Sequence, residues 1–167
     1  TIGRGGTAVV KLAHVKKSGE VFALKIIKKS LLRNTKGDLL KNEKKILEEI
    51  NGSNFVIKLK QTLKDPSNIY ILLELAPGGD LLSVISGLGI LTRAQTQFYI
   101  GCMLMGIAYC HKHQVVYRDL KVENFLVDKL GYVKLADFGI AKKMVTDRTF
   151  SLVGTPQFMA PEIVLGK

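Results

Sequence analysis

The sequence is poor in cysteine and in long apolar runs, and each shortage excludes a class of protein. Its only cysteines, Cys102 and Cys110, are too few for a disulfide framework and lack the Cys/His spacing of a zinc site. They fall on one helical pattern, where we expect both to be buried in a protein of a reducing compartment. The longest apolar run, at 69–73, is far too short to cross a bilayer and predicts a buried strand instead.

Acidic residues are also scarce, at 14 against 25 lysines and arginines, so that the 167-residue chain has a net charge of +11. Such an excess can attract nucleic acid or an anionic membrane surface. Here the lysines occur in scattered pairs, as at 28–29, 44–45 and 142–143, and not on one element with interleaved aromatic residues. This scattered distribution of the charge argues against a nucleic-acid partner. A basic nucleic-acid-binding module is therefore only the third hypothesis for function.

Apolar spacing divides the chain into a β-rich first half and a helical second half. It predicts strands at four places, 9–12, 21–27, 55–63 and 69–75. It predicts helices at three places, 38–50, 80–86 and 92–113, the last with Thr92 as its N-cap. Two short strands follow, near 125–127 and 132–135. We therefore predict an α+β fold with two lobes: a β-rich lobe at 1–73, a hinge at 74–80 and part of a helical lobe at 81–167.

Polar side chains that suit one chemistry are concentrated in the last third of the chain. Asp119, Lys121 and Asn124 lie within a few residues of each other, and Asp137 follows as the first residue of an Asp-Phe-Gly triplet. Phosphoryl transfer from ATP needs such a set. One carboxylate orients the attacking hydroxyl, the lysine neutralises the moving group, and the amide and the second carboxylate hold Mg²⁺.

These motifs, followed by Ala-Pro-Glu at 160–162, resemble the signature set of the protein kinases. The chain is most similar to serine/threonine kinases of the basophilic group that contains the cyclic-nucleotide-dependent (cAMP- or cGMP-dependent) protein kinases. Four features carry this closer resemblance: Tyr117 before Arg-Asp, and the runs at 22–25, 141–143 and 154–156. The resemblance covers the whole chain and implies a two-lobed protein-kinase-like fold, truncated at both ends. We expect the isolated 167-residue polypeptide to be unstable or inactive.

The resemblance implies an ATP site between the two lobes. Lys25 would bind the α- and β-phosphates while paired with Glu43. Its position on an apolar strand independently requires an acidic partner. Glu48 and Glu49 compete with Glu43 as that partner. The remaining nucleotide contacts would come from the glycine-rich loop, the hinge and the walls of the cleft: Ile2, Gly3, Gly5, Gly6, Val10, Ala23, Glu74, Ala76, Asp80, Glu123 and Leu126.

The resemblance also assigns roles in the second half. Asp119 and Lys121 would be catalytic together with Lys25 and Glu43, while Asn124 and Asp137 would hold the metal. Leu73 would be the gatekeeper of the nucleotide site. A stack of apolar side chains would align the lobes: Leu47, Leu59, Tyr117 and Phe138.

Three positions depart from the family pattern. Ala8 stands where a third glycine is expected, and Thr7 replaces the usual aromatic residue at the tip of the loop. Val122 replaces the usual proline of the catalytic loop. The changes in the glycine-rich loop leave a weakened nucleotide site as an alternative, whereas Val122 carries no chemistry.

The resemblance also implies that Ser151 is the regulatory phosphorylation site, with Arg118 and Lys142 as the phosphate pocket and Arg148 nearby. An ordinary loop serine is the alternative. Leu39 stands where related kinases often contribute a basic residue, which predicts a poorer pocket. Thr155 is predicted to be structural, bonding Asp119 and Lys121.

In the kinases that the chain resembles, the positions of Asp80 and Glu123 bind the ribose hydroxyls and a substrate arginine, and carboxylate and guanidinium pair directionally. A solvated acidic face is the alternative. The sequence thus predicts a cytoplasmic, ATP- and Mg²⁺-dependent serine/threonine kinase that acts on basic peptides. Its further expected partner is a cyclic-nucleotide-binding regulatory region or subunit. A catalytically dead, ATP-binding pseudokinase or scaffold is the second hypothesis.

Overall fold

The computed structural model describes residues 1–5, 8–32, 36–144 and 153–166, without the side chains at 36, 38 and 39. Five strands form one antiparallel sheet in the order β1-β2-β3-β5-β4. Their bounds are Gly3–Arg4 (β1), Ala8–His14 (β2), Val21–Lys28 (β3), Leu59–Lys64 (β4) and Asn68–Glu74 (β5). This sheet, with the helices described below, confirms the predicted α+β, two-lobed class.

The register of the sheet decides which side chains lie on its inner face. Lys25 on β3 is paired with Val10 on β2 and with Ile71 on β5. Directly opposed residues of neighbouring strands project on the same face, so these three side chains share one face of the sheet. Ile71 is almost fully buried, which identifies this face as the one turned towards the interior.

A helix, α1 (Lys36–Glu49), packs beside the sheet. Its buried residues recur at helical spacing, Leu40, Ile46 and Leu47, and Ile50 follows directly after its end. Glu43 lies among them and is only 4% exposed, so that α1 buries a carboxylate together with its apolar stripe. The predicted bounds, 38–50, differ from the observed ones by two residues at the start and one at the end.

The predicted strand at 55–63 is wrong in its first part, because residues 55–57 belong to a different pairing. The backbone N–H of Leu135 donates to the Phe55 carbonyl, and the N–H of Ile57 donates to the Leu135 carbonyl, each at 2.9 Å. The Lys58 carbonyl is the first group to bond to β5, and β4 of the five-stranded sheet begins at Leu59. Apolar spacing indicates an extended chain but not which sheet it joins, and here the chain bridges the two halves.

The second half contains two longer helices, α2 (Leu81–Leu88) and α3 (Arg93–Lys112), and a short one, α4 (Pro161–Val164). Thr92 caps α3 as predicted, and its side chain and that of Gln95 form a reciprocal capping box. Cys102 and Cys110 are both buried on α3, as expected, and burial raises the pKa of the Cys110 thiol to about 11. None of the helices in the described ranges combines the length and apolarity needed to cross a membrane.

Two small antiparallel strand pairs flank the loops that contain Asp119 and Asp137. Val115–Val116 (β6) pairs with Lys142–Lys143 (β9), and Phe125–Val127 (β7) pairs with Val133–Leu135 (β8). The first pair was not predicted, because two-residue strands show no periodicity. Phe125, Val133 and Leu135 are completely buried and join one core cluster with residues of α1, α3 and the large sheet.

Gly106 on α3 allows the close approach that this core requires. A Cβ added there would lie 2.8 Å from the Phe55 carbonyl oxygen, whereas one added at Gly101 of the same helix would meet nothing within 4 Å. Alanine is the better helix former by about 1 kcal/mol. We therefore expect Gly106→Ala to lower the free energy of unfolding, and Gly101→Ala to raise it slightly, in chemical denaturation. Equal stabilisation by both variants would contradict the close contact.

Candidate active site

The cleft contains a buried cation with two carboxylate neighbours. The Lys25 ammonium lies 2.6 Å from Glu43 Oε1 and 3.2 Å from Asp137 Oδ1. Burial alone would lower the pKa of Lys25, but the two carboxylates outweigh it and hold that pKa above its usual value. The structure thus brings together a strand, a helix and the Asp-Phe-Gly loop at one charged group. The competitors lie elsewhere, since Glu48 pairs with Lys44 and Glu49 with Lys143.

Asp119 is surrounded by donors. Its Oδ1 accepts a hydrogen bond from the Thr155 hydroxyl at 2.6 Å, and its Oδ2 accepts from Asn124 Nδ2 at 2.8 Å. The Lys121 ammonium lies 3.0 Å from the same carboxylate and donates to the Thr155 hydroxyl at 2.9 Å. Desolvation by itself would raise the pKa of Asp119, but the bonds from Thr155, Lys121 and Asn124 keep it below the usual value. The carboxylate is therefore ionised and fixed in orientation.

The side chains expected to hold Mg²⁺ fit a hard cation. Asn124 is buried, and its Nδ2 donates to both the backbone oxygen and Oδ2 of Asp119, which leaves the amide oxygen as its ligand atom. The Asp137 side chain is 59% exposed and only one of its oxygens is engaged by Lys25. Amide and carboxylate oxygens are the ligands that Mg²⁺ prefers. The described residues contain no cluster of three or more His, Cys, Asp or Glu side chains suited to a metal.

Backbone strain is concentrated at these loops. Arg118 and Asp137 have φ angles of 69° and 54°, in the left-handed region that residues with a side chain rarely occupy. Arg118 is held there by a 2.8 Å bond from its Nε to the Ile140 carbonyl. Its Nη1 is buried without a hydrogen-bond partner among the described residues, and desolvation lowers the pKa of the guanidinium. An unpartnered buried guanidinium nitrogen is suited to an anion.

Only part of the predicted phosphate pocket lies within the described residues. Lys142 lies on β9, opposite Val116, and Arg118 contacts the same segment through Ile140. Ser151 and Arg148 lie outside the described residues, as do Gly6 and Thr7 of the glycine-rich loop and the side chain of Leu39.

The described part of the glycine-rich loop forms a hairpin edge over the cleft. The Ile2 N–H donates to the Val10 carbonyl at 2.8 Å, and Gly3 is paired with Val10. The Gly5 N–H donates to the Ala8 carbonyl at 2.9 Å. Ala8, the departure from the glycine pattern, lies on regular β2 opposite Ile27, so its methyl group causes no break in the strand.

The remaining predicted nucleotide contacts line the junction between the two halves. Ala23 is paired with Leu73 in the sheet, and Leu126 forms an isolated bridge with Asp80. Ala76 lies two residues after Glu74, whose N–H donates to the Lys58 carbonyl at 2.9 Å. These residues therefore lie where the central sheet meets the β7–β8 pair.

The two predicted substrate carboxylates differ in environment. Both oxygens of Asp80 are engaged by Ser83, one by its N–H at 2.8 Å and one by its hydroxyl at 2.7 Å. The bonds from the Ser83 side chain and backbone lower the pKa of Asp80, and the residue serves as the N-cap of α2. Glu123 lies exposed on a 3₁₀ turn beside the catalytic loop. Asp80 is thus a fixed carboxylate with a structural duty as well.

Sequence reasoning missed Lys134. This lysine on β8 is 7% exposed, and its ammonium lies 3.0 and 3.1 Å from the two carboxylate oxygens of Glu74. Glu74 Oε1 also accepts from the Lys58 N–H at 2.8 Å. The pair joins the hinge to the strand that leads into Asp137. A lysine within the apolar run Val-Lys-Leu-Ala was the available signal, the same one that identified Lys25.

The four residues of the predicted apolar stack are all buried: Leu47, Leu59, Tyr117 and Phe138. The rings of Tyr117 and Phe138 meet edge to face with centroids 5.3 Å apart, and the Tyr117 hydroxyl donates to the Ala136 carbonyl. The loops with Asp119 and Asp137 are therefore fastened to each other by packing directly beneath the site.

A family model described as the protein kinase domain matches residues 1–167. The chain belongs to the protein kinase family. It is 47% identical over 167 residues to a cGMP-dependent protein kinase of Plasmodium berghei (strain Anka). The matched region covers 99% of this chain and 19% of that relative. A cGMP-dependent protein kinase of Toxoplasma gondii is 43% identical over 167 residues, covering 99% of this chain and 17% of the relative.

The cGMP-dependent protein kinase 2 of Homo sapiens is 40% identical over 169 residues, covering 100% of this chain and 22% of the relative. The chain therefore spans from 17% to 22% of the length of these three relatives. The predicted resemblance to a serine/threonine kinase domain of the cyclic-nucleotide-dependent group is confirmed.

Lys134→Met would leave the partly buried Glu74 carboxylate, whose side chain is 20% exposed, without its cation. Because breaking a buried ion pair from one side leaves an uncompensated charge, we expect a loss of about 3 kcal/mol in the free energy of unfolding. The double variant Glu74→Gln/Lys134→Met should recover most of that loss, since neither charge remains. Lys129→Met, at an exposed position in the β7–β8 turn, is the matched control. Additive losses in the double variant would argue against the pair.

Thr155→Val would remove the hydroxyl that donates to Asp119. Because that bond favours the charged carboxylate, its loss should raise the pKa of Asp119 and move the acid limb of the kcat/KM profile to higher pH. Stability from this group is present above the unfolded-state pKa and lost as pH falls through the folded one, so acid unfolding should also begin at higher pH. Thr155→Ser should restore both, and an unmoved limb in Thr155→Val would refute the assignment.

Proposed function

We propose that this domain transfers the γ-phosphoryl group of Mg-ATP to serine or threonine hydroxyls of proteins. The observation that carries the proposal is the convergence of Lys25, Glu43 and Asp137 at one point of the cleft, with Asp119 and Asn124 on the adjoining loop. Phosphoryl transfer depends mainly on positioning and on neutralising charge. This cleft provides two cations, Lys25 and Lys121, and three carboxylates, Glu43, Asp119 and Asp137, which the ion pairs between them hold in place.

Each residue has a defined task in this mechanism. Lys25, oriented by Glu43, binds phosphate oxygens, while Asn124 and Asp137 hold Mg²⁺ through an amide and a carboxylate oxygen. Asp119 accepts the hydrogen bond of the substrate hydroxyl and takes its proton as the bond to phosphorus forms. Lys121 balances the charge on the transferred group. Bound Mg-ATP would supply the γ-phosphoryl group, and ADP would leave as the bond from the γ-phosphorus to the bridging oxygen breaks.

The choice of serine or threonine over tyrosine follows from the loop around Asp119. Lys121, two positions after Asp119, is the form that this loop takes in the serine/threonine kinases that the chain resembles. Its ammonium is tied to Thr155 at 2.9 Å, and the Thr155 hydroxyl bonds Asp119. These contacts fix Lys121 and Thr155 beside the catalytic carboxylate, and the resemblance associates this arrangement with a serine or threonine substrate.

A basic peptide is the substrate class that we propose. Asp80 is held in one orientation by Ser83 with its pKa lowered, and Glu123 is exposed beside the catalytic loop. Two carboxylates at the mouth of the cleft would pair with a guanidinium on the N-terminal side of the target residue. The role of Asp80 as an N-cap is compatible with this, because a carboxylate has more lone pairs than the two bonds it accepts.

Regulation is proposed by analogy with the relatives, which are named cGMP-dependent protein kinases. A cyclic-nucleotide-binding region or subunit would control access to the site. Phosphorylation of Ser151 would add negative charge that Arg118 and Lys142 could bind. The Nη1 of Arg118, which has no hydrogen-bond partner within the described residues, supports an anion at that point.

The test is transfer of ³²P from Mg-ATP by the full-length protein to a serine peptide with an arginine on the N-terminal side. Asp119→Asn should lower kcat by about 10²- to 10⁴-fold, as expected for loss of a general base, and Asp137→Asn should abolish Mg²⁺-dependent transfer. Asp128→Asn, in the β7–β8 turn, should leave the rate unchanged. Peptides with tyrosine for serine, or alanine for arginine, should be poor substrates.

Transfer that survives Asp137→Asn would contradict the proposed metal ligand. ATP binding without transfer would replace the kinase by the pseudokinase, and would direct attention to Ala8. Equal rates for the arginine and alanine peptides would overturn only the proposed substrate class.

A further inference from the structure

The segment 140–143, directly after the Asp-Phe-Gly triplet, is held by the catalytic loop from one side. Arg118 Nε donates to the Ile140 carbonyl at 2.8 Å. Residues 142 and 143 form β9, which pairs with β6. Tyr117 and the loop that contains Asp119 follow directly after β6. Movement of the segment is therefore tied to the catalytic loop.

The same segment is held by α1 from the other side. Asn42 Nδ2 donates to the Ala141 carbonyl at 2.7 Å, and the Glu49 carboxylate forms an ion pair with the Lys143 ammonium. Ala141 is completely buried, so a carbonyl that lost Asn42 would have little water to replace it, and leaving a buried acceptor unpaired is costly. The Glu49 pair is about 40% exposed, at 43% and 38% for the two side chains, and contributes less.

The two contacts lie on one face of α1, because residues 42 and 49 are about two helical turns apart. Asn42 directly precedes Glu43, the partner of Lys25. A rotation or axial shift of α1 that removed Glu43 from Lys25 would have to break the Asn42 bond and the Glu49 pair as well. The position of the Lys25–Glu43 pair is thus coupled to the segment 140–143.

We propose that Asn42 and Glu49 are positioning residues, which keep Glu43 in reach of Lys25 by fastening α1 to the segment 140–143. The inference rests on the proposed function, since it concerns the lysine that would bind ATP. Neither residue touches the reacting groups. Asn42 is the main anchor because its acceptor is buried, and Glu49 is the auxiliary one.

The first experiment measures Asn42→Ala and the isosteric Asn42→Asp in the full-length protein. Loss of one hydrogen bond to a buried carbonyl should lower kcat/KM for ATP about fivefold. Asn42→Asp should lower it further, because it places a carboxylate against the Ala141 carbonyl. Glu48→Gln is the matched control on the same helix, since Glu48 pairs only along α1 with Lys44 among the contacts described, and it should have no effect.

A double-mutant cycle separates positioning from general destabilisation. If Asn42 acts through Glu43, Asn42→Ala should cost little in a Glu43→Gln background, where the pair with Lys25 is already lost. Full additivity of the two losses would overturn the proposal. For the auxiliary anchor, Glu49→Lys should lower kcat/KM about threefold, and the exchanged pair Glu49→Lys/Lys143→Glu should restore it. Failure of the exchange to restore activity would remove Glu49 from the proposal.

Amide hydrogen exchange of α1 provides a readout that needs no activity. Asn42→Ala should raise exchange across α1 by a similar factor of about five, because the helix loses its fastening, while Glu48→Gln should leave exchange as in the wild type. Unchanged exchange in Asn42→Ala would overturn the anchor even in an active kinase. Absence of transfer by the wild-type protein, with the expected exchange pattern, would overturn the proposed function and leave the anchor supported.

Discussion

The ion pair between Lys25 and Glu43 is the constraint on which the arrangement of the site depends. A buried ammonium without a partner is too costly for the folded chain to retain, so the sheet and α1 must meet where these two side chains meet. The register that opposes Lys25 to Val10 and Ile71 fixes one partner, and the apolar stripe of α1 fixes the other. Asp137 then approaches the same cation from the second half of the chain.

A second ion pair, between a buried lysine and a partly buried glutamate, also joins the two halves of the chain. Lys134 and Glu74 join β8 to the end of β5, and the backbone of residues 55–57 pairs with Leu135 beside them. Because truncating one partner of such a pair leaves a stranded charge, both pairs resist separation. The two lobes are therefore fastened by charge at two points as well as by the shared apolar core.

The sequence predicted those parts of the fold and site that have a strong local signal. Long apolar patterns located β3, β5, α1 and α3, and the resemblance to protein kinases paired Lys25 with Glu43. The ion pair of Lys134 has no comparable signal, because one polar residue in a short strand resembles ordinary alternation. The β6–β9 pair and the different pairing of residues 55–57 depend on contacts between distant residues, which periodicity does not indicate.

The charges of the site are also balanced in a way that no local pattern indicates. Each aspartate has its own lysine: Lys121 lies 3.0 Å from Asp119, and Lys25 lies 3.2 Å from Asp137. The two ion pairs hold both carboxylates in place beside an ammonium group. In the proposed mechanism, phosphate would bind next to the same two ammonium groups. Because an arriving phosphate would compete for them, its binding would weaken the ion pairs with Asp119 and Asp137.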